Sequence, residues 1–180
     1  MSIFTNPASS SREDAAAYTA ALLGLLGSQD PFTVLEETPS VVRSLVAGVD
    51  AARLAQPEAP GKWAVRHVLA HFVDSELVGG WRYRMILAHD RPVIQGYDQD
   101  AWADNLWYGD AEPEVSLDAF TGLRRWNLRI LRAASPAQLA RVGVHSERGE
   151  ESIAHLLKLY AAHDLLHRRQ IERILASVSG

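Results

Sequence analysis

The 180-residue sequence contains no cysteine. Disulfides, a thiolate nucleophile and sulfur-rich zinc sites are therefore excluded, and nitrogen and oxygen atoms must hold any metal. An excess of positive charge is also missing, since 18 Lys and Arg residues stand against 22 Asp and Glu residues and leave a net charge of -4. We therefore expect no nucleic-acid partner. One arginine cluster is predicted to be a solvated helix face: Arg124, Arg125, Arg129 and Arg132.

Long hydrophobic runs are absent as well. No stretch approaches 18 uncharged apolar residues, and the first residues do not combine a basic run with a long apolar core. We therefore expect no membrane span and a cytoplasmic protein. Hydrophobic residues make up 47% and charged residues 22% of the sequence, as is typical of globular proteins. The chain is predicted to form one helical domain over residues 13–180, after a poorly ordered lead-in at residues 1–12.

The sequence has no alternating apolar runs of strand type that are long enough to build a sheet. Apolar residues instead recur at helical intervals in four long segments, at residues 13–26, 64–89, 117–134 and 152–177. Shorter helical pieces are expected at 31–37, 41–48 and 50–54, separated where Pro39 predicts a break, and 142–150 is predicted to be a polar loop. This pattern predicts an all-α four-helix bundle with short extra helices.

A long connection is expected between the second and third long helices. Its sequence, from about residue 89 to residue 113, is too long for a plain link and too aromatic for a disordered one, so it should fold over the molecule as a lid or wall. Its aromatic residues either line a substrate cleft or serve as packing anchors: Tyr97, Trp102, Trp107 and Tyr108. Within the second helix, the pair Gly79 and Gly80 predicts a close helix contact or a kink.

The last helix places His163 and His167 four residues apart. Residues at this spacing lie on one face of a helix, so both imidazoles can point at one metal ion. The alternative is a pair of core histidines that are satisfied by hydrogen bonds. A transition metal usually needs a third protein ligand, and a bundle can supply it from a facing helix, where His67 and His71 are again four residues apart. Periodicity alone does not decide between these two.

Three segments of the sequence resemble the DinB/YfiT-like superfamily. They are residues 61–71 with the acidic positions that follow, residues 97–103, and residues 163–171. The resemblance runs from about residue 30 to the C-terminus in the right order. It implies a four-helix bundle, usually a homodimer, and a divalent metal held by three histidines, which fall on His71, His163 and His167. His67 lies where the family needs no ligand. A dimer of this chain would use apolar faces of its first and third long helices.

The resemblance also implies a function. Several members of the superfamily are similar to thiol S-transferases, which join a low-molecular-weight thiol to an electrophile, so we expect a metal-dependent enzyme of this kind with a small-molecule substrate. A metal with open positions, Zn²⁺ or Ni²⁺ in the first instance, can lower the pKa of a bound thiol or water. Two alternatives stay open: a metal-dependent hydrolase, and a non-catalytic stress-response or ligand-binding protein whose metal is structural.

Three further polar residues have competing interpretations. Asp74 is a candidate for orienting a metal ligand or acting as a base, and Glu76 for pairing with Arg82 or Arg84. Structural ion pairing is the expected role of both carboxylates. His145 lies in the predicted polar loop, so we expect it to be solvated.

Overall fold

The computed structural model describes residues 12–178. In chain order the elements are α1 (Arg12–Leu26), α2 (Pro31–Val46), α3 (Ala51–Leu54), α4 (Val65–Ala88), β1 (Val93–Ile94), α5 (Gln99–Asn105), a 3-10 turn (Tyr108–Asp110), α6 (Pro113–Ala133), α7 (Pro136–Leu139), β2 (Val142–His145), β3 (Gly149–Ser152) and α8 (Ile153–Ser177). The lead-in predicted for residues 1–12 lies outside the described residues, apart from Arg12, which begins α1.

Helices α2, α4, α6 and α8 form a four-helix bundle, in which each helix packs against two of the others. This confirms the predicted four-helix bundle and the long connection between its second and third helices, α4 and α6. The first helix of the bundle is however α2, and not the long segment at residues 13–26 that the sequence suggested. Helix α1 lies outside the bundle and packs on α8. Among the described helices, none combines the length and the apolar character that crossing a bilayer requires.

The predicted break at Pro39 is wrong, because α2 runs through this residue without interruption. A proline inside a helix removes the hydrogen bond to the carbonyl four residues earlier, which here belongs to Leu35. That carbonyl accepts a hydrogen bond of 2.7 Å from the guanidinium of Arg124 on α6 instead. A tertiary contact therefore replaces the missing backbone bond, and α2 becomes a full bundle helix.

The predicted polar loop at residues 142–150 is also wrong. It forms the antiparallel pair β2 and β3, and β1 from the long connection joins β2 in parallel, with Val93 opposite Val144. The strands have two to four residues, too few for a periodic signal in the sequence. This small sheet holds the long connection and the segment before α8 together at one end of α4.

The two glycines in α4 mark close helix contacts, as predicted. A Cβ atom added at Gly79 would lie 2.8 Å from the Tyr160 ring on α8, and one added at Gly80 would lie 2.5 Å from the Asn127 amide on α6. Any larger residue would push one of the neighbouring helices away. The pair therefore lets α4 approach both α8 and α6.

A buried charged network crosses three of the bundle helices. Arg124 is 3% exposed, so its assignment to a solvated face is wrong, although Arg125, Arg129 and Arg132 are exposed as expected. Its guanidinium forms ion pairs with Glu76 on α4 at 2.8 Å and with Asp164 on α8 at 2.6 Å. The predicted pairing of Glu76 with Arg82 or Arg84 is therefore wrong. Asp164 directly follows His163, so the network holds the histidine-bearing segment of α8 against α4 and α6.

Candidate metal centre

The histidines on α8 lie one helical turn apart and face α4. Ser152 starts this helix, because its side chain accepts a hydrogen bond of 3.1 Å from the backbone N–H of His155. The helix then runs unbroken to Ser177, so His163 and His167 have the fixed spacing that the sequence predicted. Buried apolar side chains on the same face, among them Leu156 and Ile171, turn both rings toward the bundle interior.

The third imidazole comes from α4. The Nε2 atom of His71 lies 3.0 Å from Nε2 of His163, which in turn lies 3.0 Å from Nε2 of His167. The three ligand atoms are all within 4.8 Å of one another. Two nitrogens that each lie about 2.0–2.1 Å from one Zn²⁺ are separated by about 3 to 3.4 Å. The spacing of the adjacent pairs therefore matches that of two ligands sharing one ion.

Hydrogen bonds alone do not satisfy this cluster. A neutral imidazole has one N–H and one lone pair, so three Nε2 atoms in a row can make at most one good hydrogen bond among themselves. The Nδ1 atoms of His71 and His163 are buried and have no hydrogen-bond partner among the described residues. Three lone pairs directed at one cation would satisfy all three Nε2 atoms. The donor set thus fits a divalent transition metal.

Neighbouring side chains fix the orientation of the rings. Nδ1 of His167 lies 2.7 Å from Oε1 of Gln170. This oxygen accepts a hydrogen bond from the Nδ1–H group, so the lone pair of the ring is on Nε2. The ring of Trp63 packs against His71 at 5.2 Å, and that of Phe72 meets the edge of His167 at 5.7 Å. These aromatic contacts restrict the movement of the His71 and His167 rings.

Burial keeps the three rings uncharged. It lowers the pKa of His71 and of His163 well below the ordinary value for histidine, and repulsion between the neighbouring rings adds to the effect. Burial also lowers the pKa of His167 to about 4, although Gln170 opposes the change. At neutral pH each of the three imidazoles is therefore uncharged and keeps one nitrogen lone pair available for a metal ion.

His67 takes no part in the cluster. It lies one turn before His71 on α4, is partly buried, and packs under Gly109 of the 3-10 turn. Burial lowers the pKa of His67, with a further contribution from Arg66. The histidine of α4 that lies in the cluster is the one that the resemblance to the superfamily implies, His71, and its role as a metal ligand stays a prediction.

Asp74 is hydrogen-bonded to a residue of the long connection. Oδ2 of Asp74 accepts a hydrogen bond of 2.5 Å from the hydroxyl of Tyr108. Burial and this bond raise the pKa of Tyr108, which therefore stays protonated as the donor. The contact fixes the 3-10 turn against α4. It is not the ion pair we expected, and a role for Asp74 as a base stays a prediction.

The aromatic residues of the long connection divide between the two interpretations. Tyr108 and Trp102 are packing residues, since Tyr108 is 3% exposed beside Trp63 and Trp102 packs against the same small cluster. Tyr97 lines a cavity. Trp107 does neither, because 71% of it is exposed.

A cavity of about 90 Å³ opens beside the histidine cluster. His163, the partly exposed member of the histidine cluster, forms part of its wall. Its other walls come from α1, α4, α8, the long connection and the β2–β3 hairpin. The polar residues that line it include Ser75, Arg82, Tyr97, His145, Arg148 and Tyr160. A small molecule in this cavity would lie next to an ion held by the three histidines.

Two of these cavity residues were not expected from the sequence. His145 is 2% exposed and not solvated as predicted, because alternation along β2 turns it inward. Arg82 is 7% exposed and had been considered only as a partner of Glu76. A spacing of eleven residues from His71 was the one available signal, since it puts Arg82 on the same face of α4.

Fold and site together define a helical-bundle protein with a three-histidine centre and an adjoining cavity. The sequence profile of the DinB superfamily matches residues 34–171. This chain therefore belongs to the DinB superfamily.

Known relatives agree with this assignment. YfiT of Bacillus subtilis is 30% identical over 143 residues, which cover 78% of this chain and 80% of YfiT. A protein of Oceanobacillus iheyensis is 29% identical over 137 residues, which cover 76% of this chain and 79% of that protein. Both carry the name "putative metal-dependent hydrolase". The structure of YfiT, described as a probable metal-dependent hydrolase with an unusual four-helix bundle topology, matches 79% of this chain and 84% of its own with a TM-score of 0.73 and 27% identity.

Proposed function

We propose that this protein is a metal-dependent enzyme in which His71, His163 and His167 hold one divalent ion, Zn²⁺ or Ni²⁺. The observation that carries the proposal is the convergence of three Nε2 atoms from two helices, with successive separations of 3.0 Å. A cavity that reaches His163 supports a catalytic ion over a structural one, since catalytic sites keep a position open for substrate or water.

The residues of the proposed site have different roles. When bound, the ion would act as a Lewis acid and lower the pKa of a nucleophile in the cavity. His71 and His163 hold it from facing helices, and Gln170 keeps the lone pair of His167 directed at it. Trp63 packs against His71 and Phe72 against His167, which holds these two rings in place.

Hydrolysis of a small-molecule substrate is the reaction we propose first. The names of the relatives support it. Transfer of a low-molecular-weight thiol to an electrophile is the second candidate. The absence of cysteine is compatible with it, because the thiol would then have to enter the cavity as a cosubstrate. Incubation of the metal-loaded protein with ester and amide substrates, and separately with a thiol and an electrophile, distinguishes the two. Product release without a thiol supports hydrolysis, whereas thiol loss that requires the protein supports transfer.

Metal content tests the proposed centre. Protein purified without an affinity tag should contain about one metal ion per chain, and the double variant His163→Ala, His167→Ala should contain almost none. His155→Ala is the matched control, because this histidine lies on the same helix outside the cluster. Equal metal content in the wild type and the double variant would contradict the proposal.

The homodimer, the cytoplasmic location and the single domain over residues 13–180 stay predictions. Size-exclusion chromatography with light scattering tests the first of them directly. Limited proteolysis tests the last, since one domain should resist cleavage from α1 to α8 as a unit.

A further inference from the structure

Arg82 is a buried cation with no carboxylate of residues 12–178 within ion-pair distance, since the nearby buried carboxylate of Glu151 is paired with Arg148. It lies on α4 at the wall of the cavity, and 7% of it is exposed. Its guanidinium donates to the hydroxyl of Tyr160 at 3.2 Å and to the backbone carbonyl of Gln95 at 2.9 Å, while Nε has no partner among the described residues. None of the ion pairs within residues 12–178 includes Arg82. Burying an unpaired charge is costly, so we expect a ligand from outside the chain to supply the counter-charge.

The neighbouring histidine points a second donor at the same place. Nδ1 of His145 lies 3.2 Å from the backbone N–H of Glu147, and this contact favours the neutral tautomer that carries its proton on Nε2. That Nε2 atom is 3.4 Å from a terminal nitrogen of Arg82, which carries only protons. In this tautomer two donors face each other with no acceptor between them. An external oxygen atom with negative charge would satisfy both.

The charges around Arg82 favour a ligand with one negative charge over a ligand with two. The other cation of the cavity wall, Arg148, already forms a two-point ion pair with Glu151, at 2.7 and 2.9 Å. Glu147 also lines the cavity. These two carboxylates would repel a phosphate dianion more strongly than they would repel a carboxylate, which can still form a two-point contact with Arg82.

Arg82 and the metal centre lie along one face of α4. Eleven residues separate it from His71, which is about three turns or roughly 16 Å along the helix axis. Helical side chains lean toward the N-terminus, so the guanidinium leans back toward the histidines. Ser75 on α4, Tyr160 on α8 and His163 line the same cavity as Arg82. One small molecule in this cavity can therefore contact Arg82 and also an ion held by the histidines.

We propose that Arg82 and the Nε2–H of His145 bind a carboxylate group of the substrate and thereby place its reactive end beside the three histidines. The substrate class is a small carboxylic acid whose reactive group is separated from the carboxylate by a short spacer. This inference rests on the proposed metal-dependent function, and the two can fail separately.

Hydroxamates that carry a terminal carboxylate test the inference, because their hydroxamate group binds metal ions. A series of increasing chain length is titrated into the metal-loaded protein beside alkyl hydroxamates of equal length. At the best length we expect the carboxylate to tighten binding by about 10- to 100-fold, as for hydrogen bonds to a charged group. Equal affinity of the two series at every length would overturn the inference.

Two variants and one control separate binding from folding. Arg82→Gln should abolish the advantage of the carboxylate, while Arg82→Lys should restore a part of it, because lysine keeps the charge without the planar fork. Unchanged binding of alkyl hydroxamates shows that each variant is folded with an intact metal centre. Arg84→Gln is the control on the same helix, since Arg84 contacts Gly80 and Asn127 on the α6 side and not the cavity. An advantage that survives in Arg82→Gln would overturn the inference.

A second arm does not depend on metal. Butyrate, butyramide and inorganic phosphate are added to the metal-free protein, and the rise in the unfolding temperature is measured for the wild type and for Arg82→Gln. We expect the largest rise for butyrate and its loss in the variant. If butyrate binds through Arg82 while no hydroxamate binds, the anion site stands and the metal function fails. An equal rise with butyramide, a larger rise with phosphate, or no rise with any probe would each overturn the proposed carboxylate site.

Discussion

Two arginines are almost equally buried in this protein and have opposite surroundings. Arg124 is 3% exposed and Arg82 is 7% exposed. Arg124 meets two carboxylates, those of Glu76 and Asp164, and a backbone carbonyl. Arg82 meets a hydroxyl, a carbonyl and the nitrogen of His145, which carries a proton of its own. The partners of Arg124 balance its charge within the chain, whereas the partners of Arg82 do not.

The same contrast separates the scaffold from the site. Around Arg124 every charged group has a partner, and the network joins α4, α6 and α8. At the cavity, His163 belongs to a cluster of three imidazoles whose nitrogens face one another, and Arg82 has no ion-pair partner among residues 12–178. A folded chain can hold such unsatisfied groups only at a cost in stability. Their presence along one cavity therefore indicates ligands that come from outside.

The largest expected effect is on stability at Arg124. Arg124→Met leaves two buried carboxylates without a counter-ion, and should lower the free energy of unfolding by about 3–5 kcal/mol. Denaturant unfolding measures the change, with Arg125→Met as the exposed control, for which we expect a change within about 0.5 kcal/mol. A similar small loss for both variants would remove the distinction between the two regions.

An effect of intermediate size is expected from pH in the metal-free protein. The unfolded chain binds protons at histidine near pH 6.5, but the folded chain keeps His167 neutral down to about pH 4. Stability should therefore be unaffected above pH 6.5 and fall as the pH drops toward 4, by as much as about 3 kcal/mol for this one group. Urea unfolding of metal-free protein across this range measures the slope.

The matched variants for this slope are His167→Asn and His89→Asn. The first removes one buried histidine and should reduce the slope, while His71, His163 and His145 still contribute to it. The second removes an exposed histidine and should leave the curve close to that of the wild type. A wild-type curve that is flat between pH 6.5 and pH 4 would show that the rings are not buried as neutral groups.

The smallest stability effect is expected at Arg82. Arg82→Met removes a buried cation that has no anionic partner, so the free energy of unfolding should change by less than about 1 kcal/mol or rise. The same denaturant experiment as for Arg124 measures it. A loss as large as that of Arg124→Met would show that Arg82 is a structural residue and would break the comparison.

The fold was predictable where contacts are local. Helical periodicity located α1, α4, α6 and α8, because their apolar stripes are properties of each segment alone. Helix α2 was missed as one element, since only the distant Arg124 supplies the hydrogen bond that Pro39 removes. The β2–β3 hairpin was missed because four-residue strands carry too little pattern.

The site was predictable to a similar extent. Spacing within α8 indicated that His163 and His167 share one face, and the resemblance to the superfamily implied His71 and not His67. The structure brings these three histidines together, while their binding of a metal stays a prediction. Arg82 and His145 were missed because nothing local distinguishes a buried unpaired arginine from an ordinary surface one. Only the tertiary structure shows which partners these two residues have and which they lack.

A crystal structure with anomalous scattering measured at the metal absorption edges tests the central claim most directly. The account predicts one anomalous peak per chain, within about 2.0–2.2 Å of Nε2 in His71, His163 and His167, with at least one coordination position facing the cavity. A metal-loaded crystal without that peak, or with a peak bound elsewhere, would contradict it.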